Sequence, residues 1–179
     1  GKGFITEYAG NPIKQLDIEG RMTLCNLSVE FGSWTGIIPA DENTYSWISG
    51  RPMAPKASHW DRAVEQWTQL QSDGECSWDS ELTFDCNNLD PQVTWGTSPM
   101  HVTNINSRVP EANNLPDFIN KQDHQRAIEY MQLTPGQKLT DLPIDIAFIG
   151  SCTNSRITDL RSAANIIRDR KVHPNVRAI

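Results

Sequence analysis

The sequence predicts an α/β protein, and three stretches carry that expectation. The apolar run Ile144-Asp145-Ile146-Ala147-Phe148-Ile149 has the continuous hydrophobicity of a buried parallel strand. It leads through the small-residue turn Gly150-Ser151-Cys152-Thr153-Asn154-Ser155 into residues of helical spacing, and strand, polar turn, helix is how an α/β unit begins. A second strand-then-helix succession runs from Gly36 to Ile48, behind a proline-free helical stretch from Gly20 to Gly32. The expected division is 1–142, the C-terminal part of one α/β domain with a linker, and 143–179, the start of the next.

The helix from Gly20 to Gly32 follows from apolar residues at Met22, Leu24, Cys25, Leu27, Val29 and Phe31, which cover most of its circumference and predict burial. Gly32 is its stop. Gly36-Ile37-Ile38-Pro39 fits a core strand, and Asp41 to Ile48 a short helix closed by Gly50. Ser58-His59-Trp60-Asp61 has the spacing of a capping box, followed by Trp60, Ala63, Val64, Trp67 and Leu70 at the intervals of a core-facing helix. Trp78, Leu82, Phe84 and Cys86 share one parity and predict a half-buried strand, and Val93 with Trp95 another before Gly96. Asn106 to Pro116, polar and with two prolines, reads as a surface loop. A helix around Asp123 to Leu133 stops at Pro135-Gly136. Ile157, Leu160, Ala164 and Ile167 define the last helix, which runs toward the cations Arg168, Arg170 and Lys171, suited to a helix C-terminus.

Composition narrows the function classes. A net charge of −6 and no basic stripe argue against a nucleic-acid partner, because affinity for phosphate backbones comes from Lys and Arg. No apolar run approaches the ~20 residues that span a bilayer, and no signal pattern opens the chain, so a cytoplasmic protein without membrane attachment is expected. Cys25, Cys76, Cys86 and Cys152 form no C-x-x-C pair and are read as free thiols of a reducing compartment. Gly1 in place of Met, and an end at Ile179 without a terminal signal, suggest a segment of a longer chain.

Two places offer chemistry. Cys152 falls between the end of a strand and the start of a helix, where backbone N–H groups favour a thiolate; a small buried hydrophobe fits the same position. On the first long helix, Glu19, Thr23, Asn26 and Glu30 line up as a narrow polar stripe, either solvent-facing or functional. His59, His101, His124 and His173 show no ligand spacing and are read as surface residues.

Ile149-Gly150-Ser151-Cys152-Thr153-Asn154-Ser155 resembles the first cysteine signature of the aconitase family. Ser155-Arg156-Ile157 with Asp159-Leu160-Arg161, and Glu19-Gly20-Arg21-Met22-Thr23-Leu24-Cys25-Asn26, resemble its isopropylmalate dehydratase branch. Pro39-Ala40-Asp41-Glu42 and Gln92-Val93-Thr94-Trp95-Gly96-Thr97 recur in the same order, while Ser33-Trp34-Thr35 and Ser98-Pro99-Met100 depart from the branch's pattern. The resemblance implies an aconitase-like α/β fold and a 4Fe-4S cluster held by three cysteines, of which Cys152 is one and a later C-x-x-C supplies the others. It implies that Asn26 and Glu30 face the cluster, with Glu30 hydrogen-bonding the substrate hydroxyl or water at the open iron. The implied reaction is the dehydration and rehydration that turns 2-isopropylmalate into 3-isopropylmalate in leucine biosynthesis, with a separate small subunit as partner. Homoaconitase or another hydro-lyase of the family is the nearest alternative. A non-catalytic RNA-binding or regulatory relative is a different class, and a scaffold with an unused cysteine a third.

Overall fold

Strands β1 (Ile5–Glu7) and β2 (Thr35–Ile37) lie parallel, with Ile5 opposite Thr35 and Glu7 opposite Ile37. A parallel pair needs a crossover, and helices α1 (Asn11–Gln15) and α2 (Ile18–Leu27) supply it, making a βαβ unit. The computed structural model describes residues 1–117, 119–153 and 155–179, in two compact units. The first comprises 1–83, 148–172 and 178–179, and the second 84–147 and 173–177.

In the first unit, Asp17 caps α2 by accepting from the Gly20 N–H at 2.7 Å. The helix tightens at Ser28–Phe31 into a 3₁₀ turn and stops at Gly32, whose φ of 94° is the left-handed cap only glycine adopts without strain. The expected stop is therefore found, but the expected burial is not. Leu27, Val29 and Phe31 are exposed, and the buried positions are Arg21 and Ser28. Ser28 is tolerated inside because its hydroxyl donates to the Leu24 carbonyl and shares a 2.7 Å hydrogen bond with Tyr8.

Helix α3 (Glu42–Ile48) starts where expected, on Asp41, whose carboxylate accepts from the N–H groups of Asn43 and Thr44. Helix α4 (Ser58–Thr68) is also present, without the capping box. Ala57, at φ 50°, turns the chain, and backbone bonds from His59 to Lys56 and from Trp60 to Ala57 begin the helix, so Ser58 arrives one position too late to cap. Trp67 stacks on Tyr45 at 6.0 Å and meets Trp60 edge-on at 5.9 Å, but Leu70 is exposed. The expected strand through Trp78, Leu82, Phe84 and Cys86 does not form: these residues are exposed, and no ladder pairs them. Period-2 alternation without a neighbouring strand leaves backbone groups to water. Helix α6 (Ile157–Ile167) fulfils the spacing of its apolar residues and ends before the cations placed at its end, Arg168 being non-helical.

The second unit is built on the hairpin of β3 (Gln92–Thr94) and β4 (Val102–Asn104), antiparallel with Val93 opposite Thr103, and on α5 (Lys121–Met131), capped by Asn120. Trp95, Val109, Ala127, Ile128 and Leu139 form its core. Val109 lies in the stretch expected to be a surface loop. It is buried because its N–H donates to the Gln137 carbonyl and its carbonyl accepts from Gly136, both at 2.8 Å. His101 and His124 are also buried, contrary to the surface reading of all four histidines. His101 stacks on Trp95 at 4.7 Å, and His124 meets the same ring edge-on at 5.4 Å. An imidazole has enough apolar face to pack once a nitrogen is satisfied, here His124 Nε2 on the Pro110 carbonyl at 2.9 Å.

The apolar run Ile144 to Ile149 is the largest correction. Only β5 (Ile146–Ala147) is strand, with β6 (Arg177–Ala178) the last of the chain, and Ile144, Ile146, Phe148 and Ile149 are all exposed. A parallel strand is buried only where layers cover both faces, and such a cover is missing among the described residues.

Candidate functional site

Arg21 organises the first unit around α2. Arg21 is 4% exposed, and its guanidinium grips Asp41 with two parallel bonds of 2.8 Å, while Nε donates to the Leu16 carbonyl and Nη2 to that of Lys14. The hydrogen bonds from Arg21, with smaller contributions from its charge and from the cap, hold the Asp41 carboxyl below the usual carboxylate range. One aspartate thus caps α3 and ties it to α2.

Beside this ion pair lies a cavity of about 350 Å³, within the ~300–1,000 Å³ range of small-ligand sites. Ile18, Met22, Cys25 and Ile38 give it an apolar side. Arg21, Asn26, Thr44 and Arg156 supply its polar groups. Burial pushes the Cys25 thiol up, so it lines the wall as a neutral group and not as a thiolate. Arg156 stands immediately before α6. Its backbone N–H is taken by Asp159 Oδ2 at 3.0 Å, and its Nε is shut off from water with no partner. The Thr158 hydroxyl bonds the Glu19 carboxylate, joining the first turn of α6 to α2.

The residues singled out in the sequence are partly brought together. Asn26 lines the cavity, and Glu19 holds the neighbouring helix. Glu30 is exposed and outside the cavity wall: it falls in the 3₁₀ turn, where three residues per turn carry it off the line of the α-helical stripe. Cys152 is exposed in the turn before α6, its sulfur 3.8 Å from Thr153 Oγ1, and Asn154 of the same motif lies outside the described residues. All four cysteines are free.

This donor set fits one ligand position of an iron–sulfur cluster and not a complete one. Cys152 has the soft donor and the exposure, but among the described residues no three His, Cys, Asp or Glu side chains gather as they would around a metal. The residues that single-sequence reading passed over are Arg21, Asp41 and Arg156. An arginine at the helical spacing of Ile18, Met22 and Cys25 is the signal that could have found the first, since a buried guanidinium requires an anion.

Among relatives, the 3-isopropylmalate dehydratase large subunit 1 of Bradyrhizobium diazoefficiens is 47% identical over 178 residues, 99% of this chain and 37% of the relative. The 3-isopropylmalate dehydratase large subunit of Cupriavidus necator is 46% identical over 173 residues, 97% of this chain and 65% of the relative. The chain therefore spans less than two thirds of the length of either. The aconitase family (aconitate hydratase) matches residues 1–179, the entire sequence, and the chain belongs to that family.

Proposed function

We propose that this chain is part of a 3-isopropylmalate dehydratase large subunit, a hydro-lyase that isomerises 2-isopropylmalate to 3-isopropylmalate by dehydration and rehydration in leucine biosynthesis. The observation that carries the reading is the 47% identity to a relative of that name, extending over 99% of the chain. The family's iron–sulfur chemistry is the cofactor context, with Cys152 as one thiolate ligand of a 4Fe-4S cluster. When bound, the cluster supplies a Lewis-acidic iron that polarises a substrate hydroxyl.

The chain's own contribution is to hold and orient. The Asn26 amide, at the cavity, hydrogen-bonds the substrate. Glu30, off this wall in the isolated chain, is given by the family resemblance the place beside the reacting hydroxyl, whose proton its carboxylate can hold. Residues 143–179 begin a second domain of the complete protein, separate from that of 1–142, and bring Cys152 to the site. A small subunit completes substrate recognition, nucleic acid and membrane play no part, and the enzyme works in the cytoplasm. No helix among the described residues is long and apolar enough to cross a membrane.

The test is reconstitution of the complete large subunit with its small subunit under anaerobic iron and sulfide, followed by assay on 2-isopropylmalate, homoaconitate and citrate. Turnover confined to 2-isopropylmalate is the expected result. Preference for either other acid replaces the substrate while keeping the hydro-lyase class, and RNA binding without any turnover removes the enzymatic reading.

A further inference from the structure

We infer that the cavity beside α2 receives a small carboxylate bearing a branched aliphatic group, and that Arg156 is the side chain that holds the carboxylate. Two guanidinium groups reach this space, and only one is open to a ligand. Arg21 is occupied on every side by Asp41 and by the carbonyls of Lys14 and Leu16. Its charge is neutralised within the fold, and it serves as wall.

Arg156 differs. Among the described residues no carboxylate pairs with it, and its Nε–H is excluded from water without an acceptor. The guanidinium lines the cavity without a carboxylate partner, so its charge is left for an anion to neutralise. The nearby acids are engaged elsewhere: Asp41 with Arg21, Asp159 with the Arg156 backbone, and Glu19 with Thr158. Because Asp159 already satisfies the backbone N–H at this helix start, recognition falls to the guanidinium fork, whose planar donors match a carboxylate in pairs.

Ile18, Met22 and Ile38 also line the cavity, offering aliphatic contact and no hydrogen bond. Such a wall favours a methyl-branched chain over hydrogen or hydroxyl at the same place. The assignment of this carboxylate to the enzyme's substrate rests on the dehydratase reading; the chemistry of the cavity does not.

Calorimetric titration of the complete large subunit with 2-isopropylmalate and with malate tests this without turnover. Wild type, Arg156→Lys, Arg156→Gln and Met22→Ser are compared, with circular dichroism as the check on folding. The wild type is expected to prefer the branched acid, and Arg156→Gln to weaken both acids by about 10- to 100-fold, the worth of a charge-assisted pair. Arg156→Lys, which keeps the charge and loses the fork, falls between. Met22→Ser weakens 2-isopropylmalate by about 10-fold and leaves malate unchanged. Wild-type affinity in Arg156→Gln, or no discrimination between the two acids by wild type, overturns the inference. If Arg156→Gln does not fold, unchanged affinities in Arg156→Lys and Met22→Ser do the same. Arg156-dependent binding in a reconstituted enzyme that does not turn over 2-isopropylmalate supports the cavity's chemistry while removing the dehydratase reading; normal turnover with Arg156-independent binding does the reverse.

Discussion

Replacing Asp41 by alanine is expected to be among the most damaging single changes in the first unit, and far worse than replacing its partner. Arg21 is 4% exposed, whereas the Asp41 side chain retains 33% of its exposure. Asp41→Ala strands a buried guanidinium, which costs about 3–5 kcal/mol. It also removes the α3 cap to Asn43 and Thr44, worth about 1 kcal/mol. The sum, about 4–6 kcal/mol, is a large part of the ~5–15 kcal/mol that holds a domain together. Arg21→Met removes the buried charge itself, fills similar volume, and leaves Asp41 partly hydrated and still capping, so its cost should stay below about 2 kcal/mol. Urea unfolding followed by far-ultraviolet circular dichroism separates the two. With a slope of about 2 kcal/mol per molar, Asp41→Ala should lower the midpoint by roughly 2–3 M, or leave no folded baseline, and Arg21→Met by about 1 M or less. Equal midpoints for the two variants would show that the ion pair is not buried asymmetrically.

Gly36→Ala should separate β2 from α2, because a Cβ there would overlap Ser28 Oγ and lie 2.9 Å from Cys25 Cα; the expected loss is about 1–3 kcal/mol in the same urea experiment, and an unchanged midpoint contradicts the close approach. Acid should weaken the first unit through Asp41: its folded carboxyl titrates below the unfolded value near 3.9, so its contribution is complete above that value and is lost as pH falls through the folded one. An Asp41→Asn chain that keeps the wild-type acid sensitivity places that sensitivity elsewhere. In the complete large subunit, Cys152→Ser should lose the visible absorption of the cluster together with activity, and a full iron complement in that variant refutes the ligand assignment. Glu30→Gln should retain iron while turnover falls about 100-fold, and a wild-type rate at full iron removes Glu30 from the chemistry.

What could be read from the residues in advance was local. Helices α4 and α6 announce themselves through i, i+3, i+4 spacing, and Asp41 and Gly32 mark a start and a stop through bonds that span only a few positions. Strands β1 and β4 escaped notice because three residues carry too little alternation, and what makes Ile5–Glu7 a strand is its pairing with residues 35–37. The segment with Leu82 and Phe84 is the opposite error, alternation without a partner. Burial was misjudged for a related reason. His124 and Arg21 are inside because the Pro110 carbonyl and Asp41 meet them, and both partners lie at least fourteen residues away in sequence. At the candidate site, spacing marked Cys152 and the stripe of α2 and the resemblance gave them roles, whereas the orphaned Nε of Arg156 exists only once α6 is set beside α2.

The stack of Trp95 against His101 and His124 has an optical side. Trp95 is 2% exposed and its indole N–H has no partner, so its emission lies at the blue edge. Of the first unit's tryptophans, Trp34 and Trp78 are open to water, and Trp47, Trp60 and Trp67 are half-buried. Imidazole in ring contact is a quencher, stronger when protonated, so Trp95 is dim while its cluster is intact and brightens as the rings part. Loss of the second unit's core thus carries its own signal without any added label, the brightening and red shift of Trp95.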